Sequence, residues 1–160
     1  MAEPDRLFEL RRTRNHTVIV LVSVVDRRIV PALHFVSRLA CSDSRALHIS
    51  VDTQQTRRLA ADWMNLGLSW LPLHIRDATA PSLPVSVREA VRREETADRV
   101  TVVVPELDIV RWWHPLLYRG RARRIAEQLQ PLPGVTTVIV PFYVPPRVEA
   151  PAAEVGERRG

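Results

Sequence analysis

Apolar and polar positions along this 160-residue chain come in blocks whose period switches between that of a strand and that of a helix. Thr17 to Val22 is a continuous, largely β-branched run, the pattern of a strand buried on both faces. Ile29, Ala32, Leu33, Val36 and Ala40 follow at helical spacing. Leu47 to Val51 reads as a second strand, and Thr53 as the N-cap of a helix carrying Thr56, Leu59, Ala60 and Trp63, stopped by Gly67. Leu71 to Ile75 reads as a third strand, which Pro72 assigns to a sheet edge. A helix over 82–97 presents Val87 and Val91. Val100 to Val104 is a second wholly apolar strand. A helix from about Trp113 to Gln130 sets Tyr118, Ala122, Ile125 and Leu129 on one face and Arg119 and Arg123 on another. Val135 to Val140 closes the series after a Pro131–Gly134 turn.

Five strands alternating with four helices predict an α/β domain: an open five-stranded parallel sheet with helices on both faces. Right-handed crossovers leave few topologies. With the most apolar strands near the centre and the third at an edge, the order 3-2-1-4-5 satisfies the pattern. It also leaves the apolar fifth strand at an edge, a liability unless something covers it. The expectation is therefore a homodimer through the fifth strand, with Phe142 and Tyr143 near the contact. Residues 1–15 read as a flexible leader or linker, 16–144 as the domain, and 145–160 as a disordered tail.

Composition narrows the partners. Apolar residues make up 46% and charged residues 26%, which fits a globular body. The longest apolar-leaning run, Thr17 to Val25, is far short of the roughly 20 residues that span a bilayer. No secretory signal pattern is present. The single cysteine, Cys41, has no internal disulfide partner, so a reducing, cytoplasmic setting is expected. All 23 basic side chains are Arg. Five of them (Arg111, Arg119, Arg121, Arg123, Arg124) fall in residues 111–124 without an acid, while the other eighteen balance eighteen Asp and Glu. The whole net charge of +5 thus sits in one stretch, which points to an anionic partner or, more blandly, to a solvated helix face.

In such a sheet a ligand lies beyond the carboxyl ends of the strands where the strand order reverses, here between strands one and four. Ser23 to Arg27 and Pro105 to Trp113 line that place, with Val51 and Asp52 alongside. The candidates are Ser23, Arg27, Val51, Asp52, Pro105, Glu106, Arg111, Trp112 and Trp113. Five of them have a structural alternative. Ser23 could close its own turn, Asp52 could cap a helix, and Glu106 could pair with Arg111. The two tryptophans could stack on a purine or pack in the core. None of the five glycines (Gly67, Gly120, Gly134, Gly156, Gly160) lies in the first or fourth strand-to-helix loop, which excludes a P-loop and a dinucleotide fingerprint. Phosphates would have to be held by Arg side chains and helix N-termini. The five histidines show no metal-ligand spacing, and His114 alone borders the crevice. No nucleophile, base and orienting group cluster in the sequence, so no catalysis, metal or cofactor is expected. Nor does any nucleic-acid motif accompany the arginines.

Over about residues 15–144 the chain resembles the universal-stress-protein-like cytosolic domain at the C-terminus of amino-acid-permease-superfamily transporters, the group that includes the KimA-type potassium importers. The residues carrying this are His16-Thr17-Val18-Ile19-Val20 with Val22-Ser23, then His48-Ile49-Ser50-Val51-Asp52, then Val100 to Val104 with Pro105-Glu106. Arg111-Trp112-Trp113-His114 with Leu116-Leu117, and Val140-Pro141-Phe142-Tyr143, complete the set. The resemblance implies a dimeric, Rossmann-like domain at the cytosolic face of a membrane transporter. It also implies an adenine nucleotide, cyclic di-AMP in the potassium importers, as an off-signal. Adenine would contact Val51, Asp52 and Ser23, with the Pro105–Glu106 turn and Arg111-Trp112-Trp113 close by. The 160 residues carry no membrane bundle, so the chain reads as a domain from a longer protein or as a stand-alone relative. The alternative functions are a universal-stress-type ATP or AMP binder and a structural dimerisation domain without a ligand.

Overall fold

The structure, a computed structural model, describes residues 15–39, 41, 43–93, 99–108 and 120–143. Five strands are present: β1 (His16–Leu21), β2 (Asp43–Ser50), β3 (Leu73–Asp77), β4 (Arg99–Asp108) and β5 (Val135–Tyr143). Four helices alternate with them: α1 (Val30–Ser37), α2 (Thr53–Asn65), α3 (Leu83–Arg93) and α4 (Gly120–Leu129). All strand pairs are parallel, and the order is β3-β2-β1-β4-β5, as the pattern predicts. The expected leader and tail lie outside the described residues, apart from Asn15, whose carbonyl accepts the Arg99 N–H at 3.3 Å.

The pleat divides the core into two layers, because successive residues of a strand face opposite sides. Val18, Val20, Ala46 and Val103 meet Ala32, Leu33 and Val36 of α1 and Leu59 and Trp63 of α2. Ile19, Leu47, Val100, Val102 and Val104 meet Val87, Ala90 and Val91 of α3 and Ala122, Ile125 and Leu129 of α4. Val18, Ile19, Val20, Val102 and Val103 are fully buried, as their continuous apolar runs require.

Several boundaries differ from the sequence reading. Strand β2 starts four residues early, at Asp43, because Thr17 to Leu21 of β1 offer a ladder that the polar Asp43-Ser44-Arg45 joins despite low strand propensity. Val51 falls outside that strand. The cap of α2 is Asp52 rather than Thr53: its backbone is extended (φ −131°, ψ 122°) and its carboxylate accepts the Gln54 and Gln55 N–H groups at 2.7 and 3.3 Å. The helix ends where expected, at Gly67, whose φ of +68° is left-handed. A 3₁₀ turn over Leu68–Trp70, absent from the sequence reading, follows at once and buries Leu71 completely. Pro72 precedes β3 instead of lying in it. Its carbonyl accepts the Ala46 N–H at 2.8 Å. β3 is at the edge as expected, but through the sheet order and not through a missing donor within the strand.

Helix α3 covers 83–93, with Ser82 just before it; 94–97 of the expected 82–97 helix lie outside the described residues, as does the 113–119 part of the helix before Gln130. The expected Pro105–Glu106 turn is strand. β4 runs on to Asp108, paired residue for residue with β5 as far as Tyr143. Pro105 is tolerated because the register with β1 ends at Val103, so no ladder bond on that side is lost. Strand β5 is an edge among the described residues, and Ile139 on it is 38% exposed.

Candidate functional site

The strand order reverses between β1 and β4: the chain leaves β1 for α1 on one face of the sheet and reaches α4, after β4, on the other. In open parallel sheets the ligand crevice lies at such a point, beyond the carboxyl ends of the strands. Ser23 is exposed just past β1, and Arg27 is exposed in the turn that enters α1. Val51 and Asp52 stand between β2 and α2, both exposed, Val51 at 74%. Pro105 and Glu106 are half-buried in the β4 extension. Arg111, Trp112 and Trp113 lie outside the described residues, as does His114.

Hydrogen bonds tie the β1 side of this rim to the β2–α2 side. The Val22 N–H donates to the Leu47 carbonyl at 2.9 Å. His48, only 4% exposed, places Nδ1 2.8 Å from the Val22 carbonyl and Nε2 3.0 Å from Thr56 Oγ1. The Thr56 hydroxyl also stands 2.9 Å from Ser50 Oγ and 2.9 Å from the Asp52 carbonyl oxygen. Ser23 and Asp52 are thus held at one end of the sheet through His48 and Thr56, which the sequence reading did not single out for the site. Their signal was slight: a histidine between Leu47 and Ile49, in a strand whose other inward positions are apolar.

The acid of the first loop is neutralised locally. The Arg28 N–H donates to Asp26 Oδ1 at 2.9 Å, and the Arg28 Nε–H donates to Oδ2. That side-chain hydrogen bond holds the Asp26 carboxyl below the usual carboxylate range and raises the Arg28 guanidinium above its own. Arg28, unremarked in the sequence, is thereby committed, whereas Arg27 beside it reaches into solvent. Of the basic window, Arg121, Arg123 and Arg124 are described, all exposed on α4, whose N-terminus lies toward the crevice end of the sheet. Arg123 donates to Glu127 at 3.0 Å, one turn on. The rim therefore combines a hydroxyl, one helix-capping carboxylate and outward-facing arginines, a set suited to an anionic ligand and lacking any activated nucleophile among the described residues.

A second concavity, of about 360 Å³, lies at the β3 edge between Ala60, Trp63, Met64, Leu71, Leu73 and Ile75. Its lining is uncharged and mostly apolar, with the Ser69 hydroxyl among it, which suits it poorly to phosphates.

Among the described residues no helix is long and apolar enough to cross a membrane. Residues 14–142 match the family described as the KimA potassium transporter C-terminal domain. No curated protein matches the chain.

Proposed function

This chain belongs to the KimA potassium transporter C-terminal domain family, and we propose that it serves a transporter of that kind as a non-catalytic sensor of cyclic di-AMP or a related adenine nucleotide. The observation that carries the reading is the reversal of strand order between β1 and β4, with Ser23, Arg27, Val51, Asp52, Pro105 and Glu106 at the strand ends beside it and, among the described residues, no glycine there but Gly120 at the start of α4. A packed triphosphate needs backbone N–H groups brought close by glycine. Two dispersed phosphates need only arginines, which grip each one through paired N–H donors. Arg27 is free to do so on this rim. Arg111, Trp112 and Trp113, outside the described residues, would supply a further cation and stacking surfaces for the bases.

The working unit is a homodimer paired through the open edge of β5, at the cytosolic face of the membrane part. A two-fold dimer complements a two-fold cyclic dinucleotide. Binding acts by differential affinity: the ligand favours one arrangement of the dimer and so biases the attached transporter.

Isothermal titration of the chain against cyclic di-AMP, ATP, cyclic AMP and cyclic di-GMP tests the reading. The expected result is heat with cyclic di-AMP, weakened by Arg27→Ala. Silence with all four ends it. ATP affinity without cyclic-dinucleotide affinity replaces it with a universal-stress-type ATP binder.

A further inference from the structure

We infer that His48 is a positioning residue that sets the spacing between the loop after β1 and the β2–α2 segment, the two parts of the site on the β1 side, and that ligand affinity depends on it; the second half of this inference rests on the function proposed above. His48 is buried to 4% exposure in β2 and bonded at both ring nitrogens, each bond reaching a different element. The Val22 carbonyl has no proton to give, so Nδ1–H is the donor there. In the neutral ring Nε2 then accepts from the Thr56 hydroxyl, whose one proton also has Ser50 Oγ and the Asp52 carbonyl within reach at 2.9 Å. The chain of bonds runs from the residue before Ser23, through the sheet, to the first turn of the helix that Asp52 caps.

Among the described residues no buried side-chain nitrogen or oxygen lacks a partner, so the path is fully satisfied as it stands. An apolar residue at position 48 would fill the space as its neighbours do. It would also leave the Val22 carbonyl and the Thr56 hydroxyl without this partner, and the two loops free to move apart. A polar group bonded at one ring nitrogen to the Val22 backbone and at the other to the Thr56 side chain is suited to fixing a gap rather than to filling a core.

Three variants test this: His48→Leu, which removes both bonds; His48→Asn, whose amide N–H reproduces the Nδ1 donor alone; and Thr56→Val, which keeps the His48–Val22 bond and the fold of the helix. Amide hydrogen exchange is followed on the ligand-free chain together with its urea stability, and cyclic di-AMP affinity is measured by titration. The expected result for His48→Leu is exchange faster by roughly tenfold at 22–27 and 51–56, beyond the change at Val102 to Val104, as befits the loss of local hydrogen bonds. Asparagine restores protection at 22–27 but not at 51–56, and Thr56→Val loosens 51–56 alone. Affinity falls about fivefold or more in His48→Leu and in Thr56→Val, within the range of a single lost hydrogen bond.

Uniform loss of protection across the sheet in all three variants would overturn the inference, since His48 would then be an ordinary core residue. So would local loosening with wild-type affinity. If the wild-type chain takes up no nucleotide, the proposed function fails, and the exchange pattern alone decides whether His48 sets the spacing. Should His48→Leu not fold, Thr56→Val decides both halves by the same criteria.

Discussion

Asp52 joins the candidate crevice to the stability of α2, and the two contributions separate by substitution. Its Oδ1 accepts the Gln54 and Gln55 N–H groups, two of the four donors that a helix start leaves unpaired. Asp52→Ala removes the acceptor, a loss of typically ~1 kcal/mol for such caps. It also removes a negative charge from the positive end of the helix, a further ~0.5 kcal/mol at an exposed position. The expected total is about 1.5 kcal/mol, which for a domain of this size lowers Tm by roughly 5 °C. Asp52→Asn keeps the acceptor and loses only the charge, so about 0.5 kcal/mol is expected. Urea unfolding measures both: with a slope near 1.5 kcal/mol/M, the alanine variant falls by about 1 M in midpoint and the asparagine variant by about a third of that. Equal losses for the two variants would refute the capping argument, as would a wild-type midpoint for Asp52→Ala. If Asp52 also accepts from an adenine amino group, Asp52→Asn weakens cyclic di-AMP binding although it is nearly as stable as wild type.

Gly67→Ala should cost about 1–2 kcal/mol, because the φ of +68° disfavours a Cβ while nothing within 4 Å obstructs one. Gly67→Asn, measured in the same urea series, should recover part of that loss. Trp63 is 2% exposed and its Nε1–H donates to the Leu71 carbonyl at 3.1 Å. Trp63→Phe leaves that carbonyl without its side-chain donor and a void beside it, an expected loss of about 2–3 kcal/mol read as a lower urea midpoint at unchanged slope. For Asp26 the folded-state carboxyl lies below its ordinary range because Arg28 donates to it, so its contribution is present above about pH 4 and fades as pH falls through the lowered value. The stability gap between wild type and Asp26→Asn, less than about 1 kcal/mol for a pair this exposed, should therefore be constant from pH 5 to 7 and close on acidification.

The sheet order was readable because Val18 to Val20 and Val102 to Val103 announce strands covered on both faces, and crossovers of one hand leave them only the centre. The edges of the elements were harder. Asp43-Ser44-Arg45 carries no strand signal of its own and is strand only because β1 lies beside it. Pro105 looked like a stop, yet a proline is harmless where the neighbour on one side has already ended. The cap slid by one residue because Asp52 and Thr53 are both competent and only the backbone torsions choose. Around the crevice, Ser23 and Asp52 followed from their places at strand ends. His48 did not, since its bonds span 26 residues to Val22 and 8 to Thr56, distances at which a sequence pattern is silent.

Among the described residues the sheet continues beyond Val103 as two strands, from Val104 to Asp108 against Ile139 to Tyr143. Five residues at about 3.3 Å each make a blade some 16 Å long, anchored at its root by Val104 and Val140 in the core and, among the described residues, with no third strand on the crevice side. Two-stranded ribbons coil and bend more readily than the sheets they leave. Tilting this one by about 10° at the root would sweep its tip through nearly 3 Å, by simple leverage on that length. One wall of the crevice is thus built like a pointer: small displacements where Pro105 and Glu106 sit are magnified where Phe142 and Tyr143 end.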